Sequence, residues 1–176
     1  QTTPTVGATI RPDGNRLAFV SRGKLFVREF DQTTARQIGS VQGIHSPFFS
    51  PDGQWIAYFS LGKLRKISVQ GGAPVDICAT SANFAGGSWA PDGTIIAPLS
   101  PTSPLQRVPA SDGTPQPLTS LDHSRGESTH RQPQVLPDGR AVLFTSHTAI
   151  TGLDDADIDV LSLKDGTRKR LIHGGS

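Results

Sequence analysis

The sequence predicts an all-β fold made of four copies of one four-stranded antiparallel unit. The tripeptide Pro-Asp-Gly begins at Pro12, Pro51, Pro91 and Pro137, which gives intervals of 39, 40 and 46 residues. Short apolar runs lie between these tripeptides and are separated by turn-forming residues, among them many of the 19 Gly and 14 Pro. Intervals of this length match one blade of a propeller of four-stranded sheets. We therefore expect a β-propeller fold with four blades in this chain.

Each Pro-Asp-Gly tripeptide is predicted to close a hairpin between the first and second strands of a blade. Pro presets φ for a turn, Asp accepts a hydrogen bond from nearby backbone, and Gly adopts the left-handed conformation that closes the turn. Apolar residues flank the turns at fixed distances, two positions before each Pro and three after each Gly. They are Ile10, Phe49, Trp89 and Val135 before it, and Leu17, Ile56, Ile96 and Val142 after it.

A third and a fourth strand complete each predicted blade. The third strands are expected at 24–30, 63–69, 104–108 and 157–163, and the fourth at 35–38, 75–78, 116–118 and 168–172. We expect the third blade to be irregular because Pro98, Pro104 and Pro109 stand in or beside its strands. The blades then span about 5–40, 41–80, 81–122 and 123–173, and residues 1–176 form one propeller domain or an arc of one.

With this division the chain ends are expected to coincide with blade ends, and we expect no strand to remain that could latch a ring shut. An open arc would expose apolar faces on its first and last blades. Three arrangements would cover those faces: a closed four-bladed ring, a homodimer completing an eight-bladed ring, or a larger propeller that includes these blades. We expect association of arcs, with the homodimer as the specific form.

Composition limits the classes of partner. The formal net charge is only +2 and the 17 Lys and Arg are spread along the chain, which does not favour nucleic acid. The densest basic run, Arg168-Lys169-Arg170, is interpreted as a solvated outer strand. The single cysteine, Cys78, excludes an intrachain disulfide. No apolar stretch reaches the ~18 residues of a membrane span.

Two segments resemble a known family. His45-Ser46-Pro47-Phe48-Phe49-Ser50-Pro51-Asp52-Gly53-Gln54-Trp55-Ile56-Ala57-Tyr58 resembles the repeat of TolB-like propellers, also called WD40-like or PD40 repeats. Residues 129–140 are similar to propellers fused behind bacterial transmembrane serine/threonine kinases. The resemblance implies that the first strand of each blade lines a central channel. It also implies an extracytoplasmic location, in the periplasm or at the cell surface.

In such propellers the loops that enter the first strands, with those between the second and third strands, form one rim. Binding sites on rigid β-scaffolds tend to lie in loops of this kind. The entering loops of blades two to four carry the candidate ligand-binding residues. They are His45 and Ser46 in the second blade, Asn83 and Phe84 in the third, and His123, Arg125, Glu127, His130 and Arg131 in the fourth.

The acidic stretch Asp154, Asp155, Asp157 and Asp159 is the one candidate for a metal site, with Asp155 and Asp157 as weak Ca²⁺ ligands. It lacks the Gly and the final Glu of an EF-hand loop, so we interpret it as a solvated acidic loop. The five His residues show no paired zinc spacing. We expect neither a metal nor any other cofactor.

Motifs for catalysis are missing from the sequence. Gly86-Gly87-Ser88-Trp89 departs from the Gly-x-Ser-x-Gly nucleophile elbow, and no phosphate loop or dinucleotide fingerprint occurs. We therefore expect a non-catalytic binding or scaffold module that recognises a protein, a peptide or a small ligand at the channel rim. Two alternatives stay open: an accessory propeller segment of a larger prolyl-oligopeptidase-like hydrolase, and a propeller fragment whose role is self-assembly.

Overall fold

The computed structural model describes residues 7–40, 43–81, 86–148 and 156–174, and within them the fold is all-β. The strands form four separate sheets, each with its strands antiparallel and in chain order, which we number as blades one to four. The first two blades are β1 (Ala8–Ile10), β2 (Arg16–Ser21), β3 (Lys24–Glu29), β4 (Arg36–Gly39), β5 (His45–Phe49), β6 (Trp55–Ser60), β7 (Lys63–Ser68) and β8 (Val75–Ala79). The other two are β9 (Ser88–Trp89), β10 (Thr94–Pro98), β11 (Leu105–Pro109), β12 (Gln116–Pro117), β13 (Thr129–Val135), β14 (Ala141–His147), β15 (Asp157–Ser162) and β16 (Arg168–Ile172). The predicted four-stranded antiparallel blades are confirmed.

The Pro-Asp-Gly turns have the predicted geometry. In the second blade the Asp52 carboxylate accepts a hydrogen bond from the Gln54 N–H at 2.9 Å, and Gly53 has a φ of 66°. The Gly53 N–H donates to the Ser50 carbonyl at 2.9 Å and closes the turn. The same two bonds recur in the other three blades, on Asp13, Asp92 and Asp138 and from Gly14, Gly93 and Gly139. Local chemistry therefore sets each of the four hairpins.

Blades one and two belong to the first of two compact units, Gln1–Phe84. Their apolar faces pack into one core, in which Ala18, Val20, Leu25 and Val27 from blade one meet Ile56, Tyr58 and Ile67 from blade two. The Arg36 guanidinium adds a polar link between these blades, because it donates to the carbonyls of Val69 at 2.7 Å and Gln70 at 3.0 Å. This unit needs both blades to bury its core.

Blades three and four belong to the second unit, Ala85–Ser176. Their core joins Ala90, Ile96 and Leu105 to Val135, Val142, Phe144 and Leu161. Blade three is irregular, as expected, since β9 and β12 have two residues each. Prolines end three of its strands, at Pro98, Pro109 and Pro117, where they cannot extend the hydrogen-bonded ladder.

The first strands of blades two and four contain a bulge that the sequence did not predict. The pairing register shifts between His45 and Phe48 in β5, and between Arg131 and Gln134 in β13. In each bulge the residue before a proline has a left-handed backbone, with φ of 48° at Ser46 and 50° at Gln132. Non-glycine residues seldom adopt this conformation.

Among the described residues, no helix is long and apolar enough to cross a membrane.

Candidate functional site

The segment that enters blade four is shaped by a single 3₁₀ turn, His123–Arg125. Asp122 caps it, since its carboxylate accepts from the Ser124 N–H at 3.0 Å and from the Ser124 hydroxyl at 2.6 Å. The turn ends at Gly126, whose φ of 73° is left-handed. This path brings Arg125 and Glu127 to the end of the sheet where β13 and β15 begin and β14 and β16 end. We call this the entry end of blade four.

Glu127 lies at the centre of a buried polar network behind the entry end. Its side chain is 3% exposed, and both of its oxygens accept from the Arg168 guanidinium, Oε1 at 2.5 Å and Oε2 at 3.0 Å. The same guanidinium donates to the fully buried Asp159 carboxylate, which also accepts from the Ser146 hydroxyl at 2.9 Å. Arg168 thus bridges two buried carboxylates, the geometry for which a guanidinium fork is suited.

The ionisation of Glu127 follows from these contacts. Burial opposes the charged form, but hydrogen bonds from Arg168, the Asp122 N–H and His130, with the Arg168 charge, outweigh it and lower the pKa from 4.5 to about 2. Burial also lowers the pKa of His130 below its ordinary 6.5, although hydrogen bonding to Glu127 acts the other way. At neutral pH, Glu127 is therefore a carboxylate and His130 a neutral imidazole.

The hydrogen bonds around His130 define which ring nitrogen carries the proton. The Leu105 N–H donates to the Thr119 hydroxyl oxygen at 2.8 Å, which leaves the hydroxyl proton for His130 Nδ1, also at 2.8 Å. His130 Nε2 then donates to the Glu127 carboxylate at 3.0 Å. The imidazole has no exposed surface and rests on the Phe144 ring, with centroids 4.8 Å apart. His130 therefore joins blade three to blade four.

A pocket of about 340 Å³ opens in front of this network at the entry end. Asp157 lies in its wall and accepts from Arg125 Nη2 at 2.7 Å, Arg170 Nε at 2.9 Å and His173 Nδ1 at 2.6 Å. Burial opposes ionisation of Asp157, but its bonds to His173 and Arg125 and the charge of Arg170 lower its pKa. Glu127, Ser146 and Thr148 complete the lining.

Charge is layered through this pocket. The carboxylates are the deeper groups, with exposed side-chain fractions of 3% for Glu127 and 12% for Asp157. The N–H donors lie further out, at 26% for Arg125, 41% for Arg170 and 77% for His173. The Nε of Arg125 is buried with no hydrogen-bond partner in the described part of the chain. N–H donors are therefore the groups that an incoming molecule meets first.

The structure separates the candidate residues of the sequence into distinct positions. Arg125 and Glu127 line the pocket, and His130 lies buried behind it. His123 is exposed on the 3₁₀ turn, and Arg131 donates to the Pro101 carbonyl at 3.4 Å. In the first unit, His45 stacks on Phe59 with centroids 5.6 Å apart, and Ser46 forms the bulge. Asn83 and Phe84 lie outside the described residues, as do Asp154 and Asp155.

Arg168-Lys169-Arg170 forms the outer strand that the sequence predicted, and Lys169 and Arg170 are exposed, whereas Arg168 is partly buried and binds the Asp159 carboxylate. The interpretation of Asp157 and Asp159 as part of a solvated acidic loop was wrong. They lie on one face of β15, 8% and 0% exposed. Asp157 is bound to Arg125, Arg170 and His173, which compete with any metal ion. The matching i, i+2 spacing of acids and arginines was the signal that sequence reasoning missed.

No protein-family model matches this chain, and no curated protein does. Solved structures do. TolB from Acinetobacter baumannii matches with a TM-score of 0.76 and 15% identity over 97% of this chain and 44% of that one. A putative TolB from Agrobacterium tumefaciens matches with a TM-score of 0.73 and 18% identity, over 96% of this chain and 61% of that one. An oligogalacturonate lyase in complex with manganese matches with a TM-score of 0.70 and 14% identity, over 97% of this chain and 53% of that one.

The chain thus spans between 44% and 61% of the length of these matched structures. Likeness at such identities shows the fold, which is that of a TolB-like β-propeller built from four-stranded antiparallel blades. The predicted fold class is confirmed.

Proposed function

We propose that this chain is a non-catalytic binding module that holds an acidic segment of a protein or peptide, or an acidic small ligand, at the entry end of blade four. The observation that carries the proposal is the outward position of Arg125, Arg170 and His173 over the deeper Glu127 and Asp157. Guanidinium forks bind carboxylates with two parallel hydrogen bonds. A ligand carboxylate would share these donors with Asp157.

Rigidity of the pocket wall supports a binding role. Arg125 is oriented by the capped 3₁₀ turn and by its ion pair with Asp157, so little conformational entropy remains to be lost when a ligand binds. Behind it, the Glu127 carboxylate is fixed by Arg168 and by His130. The donors are therefore organised before a ligand arrives.

The same network argues against catalysis at this pocket. A general base must be reached by substrate and must have a pKa near the working pH. His130 has no exposed surface, and the pKa of Glu127 is about 2. The carboxylates are occupied by arginines, as is usual in a structural ion-pair network. Binding without turnover is the role that these groups support.

The first test measures acidic peptide binding. A fluorescent tetraglutamate peptide should bind saturably, and Arg170→Ala should weaken it about tenfold because one exposed charge-assisted contact is lost. Fluorescence anisotropy at low and at 0.5 M salt provides the measurement, with affinity falling at the higher concentration.

Lys169→Ala is the matched control, since Lys169 is the exposed neighbour of Arg170 on β16 and does not line the pocket. It should leave affinity within about twofold, as surface charges outside a site contribute little. Equal binding of a tetralysine peptide, or equal losses in the two variants, would rule out acidic recognition by this pocket. So would the lack of saturable binding by tetraglutamate.

A second candidate function is self-association, favoured by the apolar faces that blades one and four turn away from their cores. On blade one, Ile10, Leu17, Phe19 and Phe26 share the face opposite the buried Ala18 and Val20. On blade four, Leu143, Ile158, Val160 and Ile172 share the face opposite the buried Phe144 and Leu161. Ile10 and Ile172 are 56% and 51% exposed. We propose that a second copy of the chain covers these faces.

Light scattering tests this association. Wild-type protein should have twice the mass of one chain, and Ile172→Lys should reduce it to one because a charge would enter an apolar contact. Val75→Lys is the control, at a comparable 46% exposure on the outer strand of blade two. A monomeric wild type, or a dimer unaffected by Ile172→Lys, would refute the proposal.

An extracytoplasmic location remains a prediction of the family resemblance, and an accessory role beside a hydrolase domain remains an alternative prediction from the sequence.

A further inference from the structure

A second cavity, of about 600 Å³, lies at the opposite end of blades three and four from the entry end. Its lining comes from both Pro-Asp-Gly turns of the second unit, from the turn after β15 and from the middle of β11. The residues that matter are Asp92, Arg107, Gly139, Arg140, Ser162 and Lys164. None of them lines the pocket at the entry end.

Arg107 is the unusual group in this cavity. It is half-buried on β11, opposite Ile96 and Gln116 in the strand register. Its Nε is buried without a hydrogen-bond partner, and no ion pair to its guanidinium forms within the described ranges. Three other half-buried strand arginines have carboxylate partners, Arg16 with Glu29, Arg65 with Asp76 and Arg168 with Glu127, whereas Arg131 donates to the Pro101 carbonyl. A desolvated guanidinium without an acceptor is costly.

Asp92 does not fill this role for Arg107. Its Oδ1 accepts from the Thr94 N–H at 3.0 Å and from the Thr94 hydroxyl at 2.6 Å, which fixes the carboxylate in its own turn. Burial opposes its ionisation, but the Thr94 bonds and the nearby Arg107 charge lower its pKa. Arg107 therefore influences Asp92 through space and keeps its donors for another acceptor.

Two further cations stand at the mouth of the cavity. The Arg140 side chain is 85% exposed, and its Nε is 4.0 Å from the exposed Asp138 carboxylate, a separation at which a surface ion pair holds weakly. Lys164 is exposed and forms no ion pair to any described residue. Three cations against the one lining carboxylate leave a net charge of about +2 in the cavity.

We propose that this cavity binds the phosphate group of a small phosphate monoester. A phosphate monoester carries about −1.5 to −2 charge at neutral pH, which matches the excess of the lining. The Arg107 fork would hold two phosphate oxygens at the base, and Arg140 and Lys164 would contact the group from the mouth. The volume exceeds that of phosphate alone, so space remains for the organic part of the molecule.

Isothermal titration calorimetry with phenyl phosphate and with inorganic phosphate tests the site. Both should bind saturably, the ester more tightly because its ring occupies the remaining space. The double variant Arg140→Ala/Lys164→Ala should weaken phenyl phosphate binding about tenfold or more, since two charge-assisted contacts are removed from exposed positions. Arg107→Gln should abolish it, with circular dichroism confirming the fold.

Lys24→Ala is the control for loss of an exposed cation, as Lys24 lies on β3 of blade one. It should change the affinity by less than about twofold. Succinate serves as a dianion without phosphate geometry and should bind about tenfold more weakly than phenyl phosphate. The proposal fails if phenyl phosphate shows no saturable binding, if succinate binds as tightly, or if the double variant behaves like Lys24→Ala.

Discussion

Glu127→Gln should lower the free energy of unfolding by about 3 kcal/mol at pH 7, the lower end of the range for breaking a buried ion pair. The substitution keeps the volume of the side chain but removes the charge that Arg168 binds. It also leaves one acceptor oxygen, in place of two, for the donors of Arg168, the Asp122 N–H and His130 Nε2. Urea denaturation followed by tryptophan fluorescence measures the loss, since Trp89 lies in the same unit.

Glu29→Gln is a closely matched control, because Glu29 is the only other glutamate of the chain and it also pairs with an arginine, Arg16. Its side chain is 30% exposed, compared with 3% for Glu127. A solvated pair contributes about 1 kcal/mol or less, so this variant should stay near wild type. Equal losses in the two variants would show that burial of the Glu127 network adds no stability.

The repeat could be predicted from the sequence because each of its signals is local. Pro-Asp-Gly sets its own turn through one side-chain bond and one left-handed glycine, whatever surrounds it. The predicted strand limits differ from the observed ones by small errors. For example, β15 was predicted to end at residue 163 and ends at Ser162. The first strand of blade one is predicted by the same pattern over residues 5–11, and among the described residues it spans Ala8–Ile10.

The candidate site was only partly predictable, because it depends on pairing between strands. Arg125 and Glu127 were found from the polar character of an entering loop. Arg168 and Arg170 were not, since their role requires the register in which Leu161 and Asp159 of β15 face them, with a shift between Ile158 and Asp159. A one-residue change of register would turn the arginines to the other face. His130 was expected at the rim, but the structure buries its side chain between Thr119 and Glu127, where it joins blade three to blade four.

The second large effect is the dependence of stability on acid pH. The pKa of Glu127 is about 2 in the folded chain and about 4.5 when unfolded, so the unfolded state binds a proton first as the pH falls. The stabilisation from Glu127 is thus complete above pH 4.5 and is lost as the pH falls toward 2. Linkage gives a loss of about 1 kcal/mol at pH 4 and about 2 kcal/mol at pH 3.

Other groups also destabilise the folded chain in acid, so the difference between wild type and Glu127→Gln isolates this residue. Burial lowers the pKa of His130 and of His45, and both oppose folding once the pH drops below their ordinary 6.5. The His45 contribution is common to the two proteins and cancels in the difference, whereas that of His130, which bonds to Glu127, cancels only in part. The stability gap should therefore stay near 3 kcal/mol from pH 7 to 5 and narrow to about 1 kcal/mol at pH 3. Urea titrations at pH 7, 5, 4 and 3 measure it, and a gap independent of pH would mean that Glu127 is not held as a carboxylate by Arg168.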